Sequence, residues 1–358
     1  MKIHLVGGFL GSGKTTAIIG ASRLLKSRGI SVGVVTNDQG RFLVDTDVIR
    51  SLGVATAEVT GGCFCCNLPQ LQKMIEQLDQ RAGPSVVFAE PVGSCADLVA
   101  TVLKPMAAPS PLGRIVGPLS VFTDIRLLRQ RLFGRPLPFS EDVQYIFDTQ
   151  IEEAQIIVVN KSDLLPGGVA REIMERARKR YPAKTVLLQC SLESRDLSQW
   201  IDTIDHVDGG AGRAAVAVDY DRYARGEMGL AWYDASLTVD LSTDNGREVT
   251  QRLIDELRAA AYDGGRSVGH VKMRVRHAGG SFRLSITEEA VTPMGSHPVA
   301  GKRLDFTINA RAEDSADGLS FAIREGVARA LSGDGIVWKL LNEEAFHPLR
   351  PEPFMRMP

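Results

Sequence analysis

The chain has 358 residues, about 2.4 times a typical domain of about 150, so there is room for two domains and at least one full hydrophobic core. Its 42 Lys+Arg and 43 Asp+Glu leave a formal charge of −1, which excludes a broad basic surface for duplex nucleic acid or an anionic membrane. A hydrophobic fraction of 44% argues against global disorder.

In chain order, MKIHLV reads as a short buried strand running into glycine-rich sequence, and Gly13–Ser27 as a helix with Ile18, Ile19, Leu24 and Leu25 on its apolar side. Strands follow over Ser31–Thr36 and Ala57–Thr60, a helix over Leu68–Gln80, and strands over Ser85–Ala89, Leu119–Thr123 and Gln155–Val159. A helix over Val169–Arg180 and a strand over Thr185–Leu188 complete this part. Short apolar strands such as SVVFA and IIVV, spaced by helices, predict an α/β domain with a mostly parallel sheet covered on both faces. Residues 106–118 and Phe133–Ser140 read as loops. VDGGAGR, residues 207–213, reads as a linker between a P-loop domain at 1–206 and a smaller C-terminal domain at 214–358.

In that second part, strands are expected at Leu230–Leu241, Ser267–Arg276, Ser281–Glu288 and Lys302–Arg311, with helices at Gly246–Ala261 and Ser315–Leu331. This order predicts an α+β fold with an antiparallel sheet. His270, Lys272, Arg274 and Arg276 alternate with apolar residues and read as a solvated basic stripe. Trp232 and Trp338 read as packing residues, and the tail HPLRPEPFMRMP as extended or mobile. The first residues lack a signal-peptide layout and no apolar run is long enough to span a membrane, so a cytoplasmic protein in a reducing compartment is expected.

Residues 8–15, GFLGSGKT, fit G-x-x-x-x-G-K-[ST] between a strand and a helix. Gly8, Gly11, Ser12, Gly13 and Thr16 belong to a loop whose N–H groups cradle phosphate, Lys14 reaches the β- and γ-phosphates, and Thr15 ligates Mg²⁺. Asn160-Lys161-Ser162-Asp163 after a buried strand suits guanine: the Asp163 carboxylate pairs with the ring N–H and exocyclic amine, and the Lys161 stem covers the ring. Ser191 is a further candidate behind the base. Glu90 ends the strand before Pro91-Val92-Gly93, placing a carboxylate for Mg²⁺ and a Gly93 amide for the γ-phosphate. Asn37, Asp38 and Asp45 follow the second strand and read either as Mg²⁺ or water contacts or as an ordinary turn.

All five cysteines lie in the first part. Cys63, Cys65 and Cys66 follow two glycines and offer thiolates to one borderline cation such as Zn²⁺, with a redox pair or inert thiols as alternatives. Cys95 and Cys190 read as isolated buried thiols.

The ordered set GFLGSGKTT, TNDQG with Asp45, GGCFCC, FAEPVG and NKSD resembles the CobW-type branch of the P-loop GTPases, relatives of the urease and hydrogenase nickel-insertion GTPases. The resemblance covers about residues 1–205. It implies a GTP-hydrolysing metallochaperone or metal-enzyme activator that uses GTP/GDP, Mg²⁺ and Zn²⁺ (or Co²⁺ or Ni²⁺). It makes Cys63, Cys65 and Cys66 transition-metal ligands, gives Glu90 the Walker-B-like acidic role, and matches Asp45 to the switch aspartate. Lys14, Thr15, Glu90 and Asp45 then form the catalytic set, with Thr15, Glu90 and Asp38 toward Mg²⁺. The partner expected is a client metalloprotein or a cobalamin-dependent enzyme, without nucleic acid or membrane, and with homodimerisation open. A GTP-binding metal or redox sensor is the rival class. Asn37-Asp38-Gln39-Gly40-Arg41 departs from the family's Asn-Glu-Phe-Gly-Glu, the six histidines are scattered, and residues 214–358 match only in general α+β character.

Overall fold

The structure, a computed structural model, describes residues 1–37, 49, 53–108, 114–207, 209, 214–262, 265–287, 291–294, 299 and 301–358. The chain forms two compact units. The first comprises residues 1–39, 45–226 and 350–358, and the second residues 40–44 and 227–349. Residues 214–226 and 350–358 thus belong with the first unit, whereas the sequence reading assigns them to the C-terminal part. Local packing explains the difference: Gly226 lies so close to Asp142 that a Cβ would come within 2.4 Å of its carbonyl oxygen, and Arg356 reaches Asp97.

The strands of the first unit are β1 (Lys2–Gly8), β2 (Val32–Asn37), β3 (Ala55–Val59), β4 (Val86–Glu90), β5 (Ile115–Val116), β6 (Ser120–Asp124), β7 (Ile156–Asn160) and β8 (Thr185–Leu188). They form a parallel sheet in the order β3-β2-β4-β1-β6-β7-β8, with β5 beside the start of β1. Every residue of β7, IIVVN, is buried, as a strand covered on both faces requires. β5 falls where the sequence reading places a loop; its two residues add to β1 at Lys2 and Ile3.

Helices α1 (Lys14–Ser27), α2 (Leu68–Ala82), α3 (Ile125–Leu132), α4 (Glu141–Glu153), α5 (Gly167–Arg180), α6 (Ser194–His206) and α7 (Tyr220–Met228) surround this sheet. Four of them, α3, α4, α6 and α7, are absent from the sequence reading. On one face Ala17, Ile18, Ala21 and Leu25 of α1 pack with Val6, Phe88 and Phe122. Trp200 of α6 stacks on Phe88 at 5.6 Å, meets Phe122 edge-on at 5.0 Å, and donates its indole N–H to Ser120 at 3.0 Å.

The second unit holds β9 (Leu230–Leu241), β10 (Ser267–His277), β11 (Gly280–Ile286), β12 (Val291–Met294), β13 (Arg303–Glu313) and β14 (Ile336–Phe346) in an antiparallel sheet ordered β12-β11-β10-β13-β9-β14. Helices α8 (Gly246–Tyr262) and α9 (Ala316–Ala330) cover one face. Alternation decides the face: Tyr233, Ala235, Leu237 and Val239 of β9 and Val271, Met273 and Val275 of β10 point into the core with Leu253 and Ile323 of the helices. β14, unforeseen from the sequence, is an edge strand on which Trp338 is 37% exposed.

The strand positions between those core residues carry a buried ion pair. Arg311 donates to Asp234 at 2.7 and 3.2 Å, Asn309 donates to the same carboxylate at 2.6 Å, and the guanidinium lies 4.0 Å over the Trp232 ring. Arg311 is 1% and Asp234 0% exposed, so removing one partner leaves a charge in a dry site. Arg311→Met alone is expected to lower the stability of this unit by about 3–5 kcal/mol, and the double change Arg311→Met with Asp234→Leu by much less. Urea unfolding of the three proteins checks it.

Candidate functional site

β1, β2, β4, β6 and β7 end at Gly8, Asn37, Glu90, Asp124 and Asn160. Because the strands are parallel, these ends share one edge of the sheet, the edge where ligands bind in such folds. The phosphate-loop residues lie there. Gly8 has φ +129° and sits against β6, where a Cβ would fall 2.1 Å from the Phe122 carbonyl oxygen; Gly13 has φ +93° and leaves 2.4 Å to the Asn160 amide nitrogen. Only glycine fits at either place. Lys14 donates its ammonium to the Gly8 carbonyl at 2.7 Å, Thr15 Oγ1 to Glu90 Oε1 at 2.8 Å, and Ser12 Oγ is buried without a partner among the described residues. Gly11 is left-handed within the loop, and Thr16 lies half-buried in the first turn of α1. Gly93 is buried against the loop, a Cβ there falling 2.7 Å from Leu10 Cδ2.

Asn160 bridges two loops: it donates to Ser12 O at 2.8 Å and accepts from Ser191 N at 3.1 Å and Ser191 Oγ at 2.8 Å. Lys161, left-handed at φ 62°, pairs with Asp124 at 3.0 Å. Burial would raise the Asp124 carboxyl, but Lys161 and Arg126 hold it down at about 2. Asp163 is exposed on a 3₁₀ turn, and Cys190 donates its thiol to it. Burial, followed by that hydrogen bond, pushes Cys190 up to about 11. Cys190 is therefore not isolated, as the sequence suggests, but lies at the predicted base site. Asp38 and Asp45 lie outside the described residues.

The Cys63, Cys65 and Cys66 sulfurs all lie within 4.8 Å of one another. Cys63 is 2.8 Å from Cys65 and 3.0 Å from Cys66, and Cys65 is 3.7 Å from Cys66. Cys63 and Cys65 are buried and Cys66 half-buried. The thiol donors around Cys63 hold it well below the ordinary range, while hydrogen bonding to Cys63 keeps Cys65 well above it and pushes Cys66 up to about 12. A tetrahedral Zn²⁺ site with Zn–S bonds of about 2.3 Å has S···S edges of about 3.8 Å, so two edges would open by about 1 Å on metal binding.

Asn37 fixes this loop. Its amide donates to Val59 O at 3.1 Å and Gly62 O at 2.8 Å and accepts from Phe64 N at 2.9 Å. The side chain read as a Mg²⁺ or water contact therefore anchors the cysteine loop to the end of β2. The 350–358 segment adds a second anchor, with Phe354 N donating to Cys65 O at 2.9 Å and Glu352 N to Cys66. The tail, which has no regular secondary structure, is tied down at these points.

Beside it, Asp97, left-handed at φ 60°, accepts from Tyr220 OH at 2.5 Å and Arg356 at 2.7 Å. Glu153 at the end of α4 accepts from Leu98 N at 2.9 Å, and its Oε1 has no partner among the described residues. Burial first, then the Asp97 charge, pushes it up to about 8. The sequence does not single out Asp124 or Glu153, and it reads Cys95 as a buried thiol, which it is; of the first two Asp124 alone carries a signal, a carboxylate ending a buried apolar strand, as Glu90 does.

Residues 2–188 match the family described as CobW/HypB/UreG, nucleotide-binding domain. A zinc chaperone CobW from a Sinorhizobium species is 24% identical over 215 residues, 52% of this chain and 57% of the relative. The zinc chaperone YeiR of Escherichia coli (strain K12) is 30% identical over 168 residues, 45% of this chain and 47% of the relative. The chain thus spans about half the length of these two curated relatives. Among solved structures, HypB from Helicobacter pylori in complex with nickel aligns at a TM-score of 0.43 and 15% identity, over 60% of this chain and 91% of that one.

The raised Glu153 predicts a pH dependence. The folded chain keeps this proton up to about 8, whereas an ordinary glutamate loses it near 4.5, so this group makes stability fall as pH rises between those values. Glu153→Gln is expected to gain on the wild type by up to about 1.4 kcal/mol per pH unit in that window. Thermal melts of both proteins at about pH 5 and pH 8 check the sign.

Proposed function

The chain belongs to the CobW/HypB/UreG family of nucleotide-binding proteins, and from that premise we propose that it is a GTP-hydrolysing metallochaperone or metal-enzyme activator carrying Zn²⁺, or Co²⁺ or Ni²⁺, on Cys63, Cys65 and Cys66. The observation that carries this reading is the convergence of three thiols on a loop that Asn37 fastens to the end of β2. The chaperone names of the relatives support it.

Asp163 is the guanine acceptor, Lys161 lies along the base, and Asn160 holds both to the phosphate loop through Ser12. The Lys14 ammonium exchanges the Gly8 carbonyl for β- and γ-phosphate oxygens. The pairing of Thr15 with Glu90 fits a Mg²⁺ site, the hydroxyl as ligand and the carboxylate behind it, and the ion would neutralise charge on the γ-phosphate. Asp38 and Asp45 complete the switch. The metal is cargo: it enters the thiol loop and leaves for a client metalloprotein or a cobalamin-dependent enzyme, in the cytoplasm. The GTPase part is residues 1–206, with residues 214–226 and 350–358 packed in the same unit, and the 207–213 linker leads toward the separate α+β part. A second reading, a redox-sensing GTP-binding regulator, draws on the 2.8 Å approach of Cys63 and Cys65.

Purified protein is expected to turn over GTP and not ATP, and Zn²⁺ to change the rate in wild type but not in Cys65→Ser. Asp163→Asn is expected to weaken GTP binding about ten- to a hundredfold, as loss of a charged hydrogen-bond acceptor does. Equal use of ATP would overturn the guanine assignment. Metal-independent turnover with the same metal stoichiometry in Cys65→Ser would overturn the metal role. Reversible disulfide formation without metal binding would select the redox reading.

A further inference from the structure

β6 and β7 are parallel neighbours, and their last residues, Asp124 and Asn160, stand opposite one another in the register. Lys161 follows at once, and its ammonium reaches back across that gap of about 4.8 Å to Asp124 Oδ2 at 3.0 Å. Both ends of the lysine are held. At the backbone end Asn160 is tied to Ser12 and Ser191, Ser162 N donates to Gln189 O at 3.1 Å, and Leu164 N donates to Lys161 O at 3.1 Å. Lys161 is one of two non-glycine residues with positive φ among the described residues, a conformation that a side chain with a Cβ keeps only where its surroundings impose it. At the far end the carboxylate is fixed as well. Asp124 is 4% exposed and caps α3: its Oδ1 accepts from Arg126 N at 2.9 Å and Arg126 Nε at 3.0 Å, and its Oδ2 from Arg126 Nη2 at 2.8 Å. This fork orients the carboxylate toward the lysine. Since β6 lies between β7 and β1, the lysine stem runs from the base-reading loop toward the phosphate loop.

We propose that Asp124 is a positioning residue for nucleotide recognition, holding the Lys161 stem across the sheet edge as a rail on which the purine ring lies. This rests on the guanine-nucleotide reading above and deepens it. Specificity and grip then come from different residues. Asp163 pairs with the ring N–H and the exocyclic amine and so distinguishes guanine from other bases. The four-carbon stem of Lys161 meets the ring face, which every purine shares. Without Asp124 the stem would have to be immobilised whenever a nucleotide binds, and affinity would fall for every purine alike.

The test measures affinity for GDP and for inosine diphosphate (IDP), which lacks the exocyclic amine, in full-length wild type, Asp124→Asn, Lys161→Met and the double variant. Asparagine keeps a side-chain oxygen for the α3 cap, and methionine keeps an apolar stem without the ammonium. Asp124→Asn is expected to weaken GDP and IDP alike by about two- to tenfold, the weight of fixing one long side chain, and to leave the ratio between them unchanged. Lys161→Met is expected to lose a similar factor, and adding Asp124→Asn to it to cost nothing further, because the carboxylate acts through the ammonium. Full GDP affinity in Asp124→Asn, a shifted GDP-to-IDP ratio, or losses that multiply in the double variant would overturn the proposal. Lys161→Met leaves the α3 cap untouched, so full GDP affinity in that variant overturns it even where Asp124→Asn fails to fold. ADP bound by the wild type as tightly as GDP would instead overturn the guanine reading beneath it.

Discussion

Parallel pairing of β1 between β4 and β6 is the constraint on which the rest of the first unit depends. It makes neighbouring strands finish on the same edge, so the phosphate loop leaving β1 and the carboxylate ending β4 emerge side by side, close enough for Thr15 to reach Glu90. The same pairing brings β1 so near β6 that position 8 admits no side chain, and it sets Asn160 at the end of β7 within reach of Ser12. The loops that follow β1, β4 and β7 are thus held by the sheet and by one another, and on the proposed reading this is the preorganisation that binding needs.

Asn37 extends that arrangement to the thiols. A buried amide with two of its hydrogen bonds on the cysteine loop and a third on the end of β3 is costly to displace, because each group left behind would lack a partner. It immediately precedes Asp38 in the chain, where the nucleotide switch is expected. On the proposed reading, movement of that switch pulls on the same side chain that holds the metal loop. Nucleotide and metal then bias one two-state element, and the coupling has to be reciprocal.

Much of this was legible in the sequence because it is local. GFLGSGKT, NKSD and GGCFCC each mark candidate residues within a few positions, and the parallel sheet follows from short apolar strands such as IIVV. What escaped depends on distant partners. Asn37 looked like any Asx residue at a turn, and only the fold shows that it spans to Gly62 and Phe64. The tail looked loose since proline-rich sequence has no period, yet Arg356 and Phe354 tie it to Asp97 and Cys65. Amphipathic helices α3 and α6 were passed over because polar residues dominate them, while the residues that matter, such as Leu128 and Trp200, are few and well spaced.

The central claim is that nucleotide state and metal occupancy share one mechanical link through Asn37. Its most direct measurement is Zn²⁺ affinity of the full chain in three states: nucleotide-free, bound to GDP, and bound to a non-hydrolysable GTP analogue. The account predicts affinities that differ between the GDP and GTP-analogue states, a matching change in nucleotide affinity on adding Zn²⁺, and loss of the difference in Asn37→Ala. Equal Zn²⁺ affinity in all three states of the wild-type protein would contradict it.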